Sequence, residues 1–385
     1  VTAPGTVTIT PARADAPADA DAPADAHTGI DAPAHADISE ISYSELVVAT
    51  GSEPLAPPIE GLADIQAWTT AEALTSPDLP RRLVILGGGP AGCELAQIYA
   101  AFGSQVTLVE TEDRLLAAEP AFAGEILADV LRRAGVELRL GTAATKAERG
   151  GAAGEGLVLI LADGIKVEAD RLLLASGRRP RLTGLGLDLL GVNVTPGKPL
   201  PVDGACRITD GSGRAVGGLW AAGDATGTGY THVARYQAGI VAANLLGESC
   251  RADYRALPRP VYTDPAVFAI GLTPEAAADA GMKVRTAGHA LGDTVRARLD
   301  TDEAGYVELY AEPDSGMLVG AAAVGPGAPD WMAEITLAIR AEIPVKTLAD
   351  VVHAFPTHGE VLEVPLRALA GSAGTDGMGP EEVER

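Results

Sequence analysis

Thiols, aromatic rings and positive charge are all scarce in this chain. Only three cysteines, Cys93, Cys206 and Cys250, occur in 385 residues. An odd number at such wide spacings supports neither a disulfide framework nor a thiolate metal site, so no metal is expected and a reducing compartment, the cytosol, is the default. Lys and Arg number 29 against 52 Asp and Glu, a formal charge of −23. With no basic run to offset it, that balance repels phosphate backbones and anionic lipid, which argues against nucleic-acid and membrane partners. No apolar stretch reaches the roughly 18 residues of a spanning helix, because Gly, Pro or a charge interrupts each run. The start, Val1-Thr2-Ala3-Pro4-Gly5, lacks both an initiator Met and the layout of a secretion signal, and is expected to be an internal start. At about 150 residues per domain the length predicts two to three domains.

What is present has a clear order. Residues 11–37 are almost wholly Ala, Asp and Pro, too poor in side chains to bury, and are expected to form a disordered insertion. Alternating residues at 5–10 and 43–50 predict two strands joined by that overgrown loop. From Arg82 the pattern is strand (83–86), glycine turn, helix (90–102), strand (105–110), helix (120–134) and strand (136–140), a βαβαβ unit. Residues 157–161 and 165–168 read as a hairpin and 171–175 as a buried strand. An apolar segment at 218–222 precedes a helix at about 231–246. Beyond Pro258, strand-like segments at 294–299, 306–310 and 317–324 precede helical ones at 330–341 and 357–370, an α+β layout.

The strongest motif is Gly87-Gly88-Gly89-Pro90-Ala91-Gly92, a Gly-x-Gly-x-x-Gly between a predicted strand and a predicted helix. Gly87 makes the tight turn, Gly89 lets backbone approach a pyrophosphate, and Gly92 lets helix and strand pack; the helix N-terminus faces the anion. Glu110 ends the next strand, where an acid accepts hydrogen bonds from an adenosine ribose. A carboxylate there repels a 2′-phosphate, so NAD(H) is expected over NADP(H), with Arg114 nearby tempering the preference. A glycine-rich structural turn is the alternative. A second segment, Gly218-Leu219-Trp220-Ala221-Ala222-Gly223-Asp224, sets a lone acid after a buried strand. Asp224 either caps the next turn or accepts hydroxyls of a bound cofactor, and Thr231 opens a helix whose N-terminus favours negative charge on a bound ring.

Together these segments resemble the class I pyridine nucleotide–disulfide oxidoreductases, flavoenzymes that include dihydrolipoamide dehydrogenase, glutathione reductase and mercuric reductase. The resemblance runs over residues 7–370. It also rests on Val47-Val48-Ala49-Thr50-Gly51-Ser52, Ala175-Ser176-Gly177-Arg178-Arg179-Pro180, Thr231-His232-Val233-Ala234, Tyr262-Thr263-Asp264-Pro265 and His353-Ala354-Phe355-Pro356-Thr357. It implies an α/β fold with two Rossmann-like dinucleotide-binding domains, the FAD one incomplete, plus a C-terminal α+β dimerisation domain. The implied division is a remnant of the FAD domain at 1–62, an NAD(P) domain at 63–180, the rest of the FAD domain at 181–257, a dimerisation domain at 258–370 and a disordered tail at 371–385. Thr50, Gly51 and Ser52 would pass close to FAD, Asp224 would hold its ribityl chain, and Thr231, His232 and Val233 would present a helix end to its pyrimidine edge. Gly177 would line the nicotinamide nucleotide site, and Glu94 would lie near the flavin, paired with a lysine.

Two departures qualify the resemblance. Family members begin with another Gly-x-Gly-x-x-Gly unit, then a helix with a Cys-x4-Cys redox pair and the lysine; no such unit precedes Thr50, so the chain is expected to be an amino-terminally truncated piece. Cys93, in the first turn of the nucleotide helix, reads as a packing residue rather than a replacement thiol. Family disulfide reductases also use a His directly before Pro-Thr as an acid/base, held by a Glu five residues on. Here that position is Phe355, while Glu360 remains and His353 and His358 flank it. The expected function is an FAD-dependent, homodimeric oxidoreductase moving hydride between NAD(H) and flavin, with a disulfide or small oxidant as second substrate. A quinone or dye reductase without disulfide chemistry, or a non-catalytic nucleotide-binding and dimerisation module, are the alternatives.

Overall fold

The computed structural model describes residues 1–8, 40–150, 156–300 and 305–371. The insertion expected at 11–37, and the expected tail beyond Gly371, lie outside them. The chain divides into two compact units, one of Val1–Gly87, Ala144–Ile160 and Gly164–Asp253, the other of Gly88–Ala143, Leu161–Asp163 and Tyr254–Arg385.

In the first unit, Leu46–Val48 pairs in parallel with Ala215–Ala221, and Arg207–Thr209 runs antiparallel on the other side. The strand Ala215–Ala221 is buried along its last three residues, as an apolar run between two partners should be. Val48, Ile208, Leu219 and Ala221 form the core there with Leu182, Leu187, Val192 and Leu200. A second parallel pair joins Arg82–Leu86 to Arg171–Leu174, and Leu83, Val84, Leu172 and Leu173 are shielded on both faces. Asp170 secures the start of that pair by accepting from the Arg82 backbone N–H and from its guanidinium at 2.8 Å. The hairpin Leu157–Leu161 and Lys166–Ala169 forms as expected, and Ala144–Arg149 adds a third strand that the charged sequence did not announce.

Strands form in both expected amino-terminal segments: Thr6–Val7 pairs with Ile41–Ser42, while Leu46–Val48, in the 43–50 segment, belongs to another sheet. Tyr43 N–H donates to Gly5 O at 2.9 Å, and bends at Ser44 and Glu45 then redirect the chain.

In the second unit, the helix Pro90–Ala101 leads to Gln105–Val109, which pairs in parallel with Glu137–Arg139 after the helix Ala121–Arg133. Pro90 stands at the first helical position, where its missing N–H costs nothing. Beyond residue 254 lies a five-stranded antiparallel sheet ordered Pro258–Val261, Ala266–Gly271, Met317–Gly325, Tyr306–Glu312 and Arg285–Ala290. Its apolar face, with Ile270, Leu309 and Ala321, packs on Ile335, Ala338 and Leu366 of the helices Ala333–Arg340 and Glu363–Ala370.

The strand expected at 294–299 is instead a helix, Val295–Asp300. The Thr294 hydroxyl accepts from Ala297 N–H as a helix cap does, and Arg296 pairs with Asp300 one turn on, both of which favour helix.

Candidate functional site

Leu86 feeds directly into the glycine loop. Gly87 has a φ of +113°, and a Cβ there would lie 2.4 Å from Ala175 O, so only glycine permits the turn. In the second unit the loop continues through Gly88 to the first turn of the helix. A Cβ on Gly89 would meet nothing within 4 Å, so the backbone there lies open to an approaching group. Gly92 is buried inside the helix's first turn.

Glu110 closes this loop from the end of the next strand. Its Oε2 accepts from Gly88 N–H, and its Oε1 accepts from Glu112 N–H and the Thr111 hydroxyl, both at 2.9 Å. Burial alone would raise its pKa, but the Glu112 and Gly88 amides and Thr111 together outweigh it and hold the carboxyl below the usual carboxylate value. The group is therefore anionic at neutral pH, beside the open backbone of Gly89. Arg114 donates to Ala117 O at 2.7 Å. Cys93 is fully buried and donates from its Sγ to Gly88 O. Burial, with the charges of Glu94 and Glu110, pushes its thiol far up, which makes it an inert packing group.

Glu94, on the same helix, accepts from Tyr262 N–H at 2.7 Å, and Gln97 exchanges two hydrogen bonds with the backbone of Asp264, both 2.7 Å. The helix Pro90–Ala101 and the segment 262–265 thus meet within the second unit.

In the first unit, three segments distant in sequence are joined. Ser52–Pro54 pairs antiparallel with Arg178–Pro180. The Thr50 hydroxyl donates to Arg181 O at 2.7 Å, and Leu55 N–H to Gly177 O at 3.0 Å. The Ser52 hydroxyl donates to Asp224 Oδ2. Arg178 grips Ser52 twice, through Nε to Oγ at 2.7 Å and Nη2 to the carbonyl at 2.9 Å. Gln237, buried in the helix Thr231–Leu245, accepts from Gly223 N–H at 2.7 Å and donates to the Thr226 hydroxyl at 3.0 Å, which fixes the turn carrying Asp224. Thr231 and His232 open that helix exposed, Val233 is buried, and His232 stacks on Tyr230. Cβ atoms on Gly51 and Gly177 would also meet nothing within 4 Å. Sequence reasoning missed Arg178 and Gln237 as organising residues.

The carboxy-terminal candidates do not assemble into one cluster. Phe355 is 71% exposed. Glu360 accepts from Val295 N–H at 2.9 Å and Arg296 N–H at 3.3 Å through Oε1, and its buried Oε2 has no partner among the described residues. His353 lies with Nε2 3.0 Å from Glu334 and Nδ1 3.8 Å from Glu363. His358 sits 3.3 Å from Asp300.

Comparison with known proteins adds an independent line. The sequence pattern of the pyridine nucleotide-disulphide oxidoreductases matches residues 22–238, and that of the family's dimerisation domain matches residues 257–365. Over 326 residues the chain is 34% identical to mercuric reductase of Shigella flexneri, which covers 84% of this chain and 56% of that protein. It is 31% identical to dihydrolipoyl dehydrogenase of Geobacillus stearothermophilus over 324 residues, 83% of this chain and 67% of that one. Thus the chain spans little more than half of the first of these relatives. Among solved structures, LpdA of Mycobacterium tuberculosis superposes with a TM-score of 0.75 at 28% identity, covering 86% of this chain and 71% of that one. The HOCl-induced flavoprotein disulfide reductase of Escherichia coli gives 0.75 at 26% identity, with 85% and 74% covered. The mixed α/β architecture is accordingly that of Rossmann-like domains with a C-terminal dimerisation domain. No described helix is long and apolar enough to cross a membrane.

Proposed function

The chain belongs to the pyridine nucleotide-disulphide oxidoreductase family, whose members use FAD and NAD(P)H, and we propose that it serves as an NAD(H)-dependent flavin oxidoreductase acting as a homodimer. The observation that carries this reading is the open glycine loop with an anionic Glu110 bound to its Gly88 N–H. The residues suit the nicotinamide nucleotide and, of the flavin, its ribityl chain. Backbone at Gly89 is bare where a diphosphate would approach, and Glu110 offers spare lone pairs to a ribose. Asp224 presents a carboxylate engaged only through Oδ2 among the described residues, beside the open Gly51 and Gly177.

When bound, the nicotinamide supplies a hydride and the flavin takes it up. The chain's own task is to bind and orient. Gly87 sets the turn, Gly89 and the helix N-terminus meet the diphosphate, and Glu110 selects the ribose. Asp224 would accept from the ribityl hydroxyls and the end of Thr231–Leu245 would favour negative charge on the ring. A visible spectrum tests this directly: purified protein, with FAD supplied, should show a bound flavin band that NADH bleaches. Colourless protein that still binds NADH would instead favour a nucleotide-binding and dimerisation module.

Phe355 supports a small oxidant, a quinone or dye, as second substrate over a disulfide. Phe moves no proton, and Glu360 is turned to the Val295 and Arg296 amides. In an enzyme that carries a redox cysteine pair ahead of this chain, Phe355→His should raise dithiol turnover by ~10²-fold, the usual scale of general acid–base catalysis, and leave dye reduction unchanged. Efficient dithiol turnover by the unmutated protein, lost in His353→Ala or His358→Ala, would assign the proton to a neighbouring histidine and overturn this choice.

A further inference from the structure

The hydrogen-bond chain Arg178–Ser52–Asp224 fixes its own polarity. Ser52 is 8% exposed and owns a single hydroxyl proton. Arg178 has only donors, so the Nε contact at 2.7 Å obliges Ser52 Oγ to accept there. Its proton is left for one partner, Asp224 Oδ2. A hydroxyl that accepts from a guanidinium is polarised and donates more strongly, so the positive charge acts on the carboxylate through it. The second guanidinium contact, to Ser52 O at 2.9 Å, prevents the arginine from swinging away. From the other side, Gln237 holds Gly223 N–H and the Thr226 hydroxyl. Asp224 therefore has one oxygen committed to Ser52, while Oδ1 has no hydrogen bond among the described residues.

We propose that Arg178 and Ser52 are positioning residues for Asp224: they orient its carboxylate so that the remaining oxygen accepts from a polyol hydroxyl of the bound flavin. The inference rests on the flavin reading above. It assigns Arg178 a role through Ser52 with no contact of its own to the cofactor.

The test compares riboflavin with lumiflavin, which carries a methyl group in place of the ribityl chain, by fluorescence titration of the full 385-residue chain. The unmutated protein should favour riboflavin, and Asp224→Asn should reduce that preference by about tenfold, the worth of one charge-assisted hydrogen bond. Arg178→Met and Ser52→Ala should each reduce it several-fold, and neither should lower it further in the Asp224→Asn background. Ser52→Thr, which keeps the hydroxyl, should restore it. A merely structural staple would weaken both flavins equally, and that result would overturn the proposal, as would an unchanged preference in Arg178→Met. No preference in the unmutated protein would overturn the flavin reading itself, a distinguishable failure. Melting curves accompany each variant; if Arg178→Met does not fold, Ser52→Ala and Ser52→Thr carry the same comparison.

Discussion

Replacing Glu110 by glutamine removes a full negative charge and keeps the side-chain shape. In the folded chain both carboxylate oxygens are held, one by Gly88 N–H and the other by Glu112 N–H and Thr111. A ribose 2′-hydroxyl can donate to this group, whereas a 2′-phosphate brings up to two like charges. One like-charge pair at about 4 Å costs ~1 kcal/mol in water and ~4 kcal/mol at a protein surface. For a half-buried carboxylate under physiological salt we expect ~1 to 3 kcal/mol of discrimination, roughly 5- to 150-fold in the NADPH/NADH ratio of Kd. Glu110→Gln should narrow that ratio by about tenfold. It should also weaken both nucleotides together, because the amide nitrogen now faces one of the backbone donors, and that common loss cancels in the ratio. The pH dependence has a definite sign. Glu110 is depressed below the usual carboxylate value, so its charge persists through mild acid and is lost only as pH falls through that lowered value. A phosphate monoester takes up a proton near pH ~6. Between pH 8 and pH 5, NADH affinity should therefore stay flat while the discrimination relaxes. Titration of protein fluorescence by each nucleotide at several pH values measures all of this. Tighter binding of NADPH by the unmutated protein, or a ratio indifferent to Glu110→Gln, would refute the role assigned to this carboxylate.

Gly87→Ala should cost ~2 kcal/mol or more, because the added Cβ would lie 2.4 Å from Ala175 O on a backbone with φ of +113°; a melting temperature within a degree of the parent would contradict the turn's geometry. Native iodoacetamide labelling at pH 8, read by mass spectrometry, should modify Cys250 and spare Cys93 and Cys206, which are fully buried. Arg259→Ala should destabilise by ~3 kcal/mol, since it strips Glu119, 9% exposed, of both guanidinium bonds; a thermal melt decides it.

The dinucleotide loop was legible because its glycines answer a geometric demand that no other residue meets, as Gly87 demonstrates. Helix and strand limits around it fell within a residue or two, since apolar runs there are bounded by Gly103 and Gly135. The 294–299 segment was misread because Val295, Ala297 and Leu299 alternate like a strand, and only the Thr294 cap and the Arg296–Asp300 pair reveal the helix. The strands Pro258–Val261 and Arg285–Ala290 were hidden by proline in one and by Arg285, Gly288 and His289 in the other; partner strands supply their order. Within the candidate site, single residues such as Asp224 and Glu110 were visible. Their partners were not, because Ser52 lies 172 positions from Asp224 and 126 from Arg178, and nothing local in the sequence announces a bond across such a gap.

Both compact units are discontinuous: the chain leaves the first at Gly87, returns to it at Ala144, and begins the last portion of the second only at Tyr254. During synthesis, the strand Arg82–Leu86 leaves the ribosome long before its parallel partner Arg171–Leu174 exists. Leu83, Val84 and Ile85, each at most 1% exposed in the finished protein, must then wait with a bare edge and an uncovered apolar face. At about 5 to 20 residues per second the wait lasts several seconds. A nascent chain halted near residue 150 is thus an adhesive intermediate that calls for chaperone cover, whereas one extended past residue 253 holds every segment of its first unit.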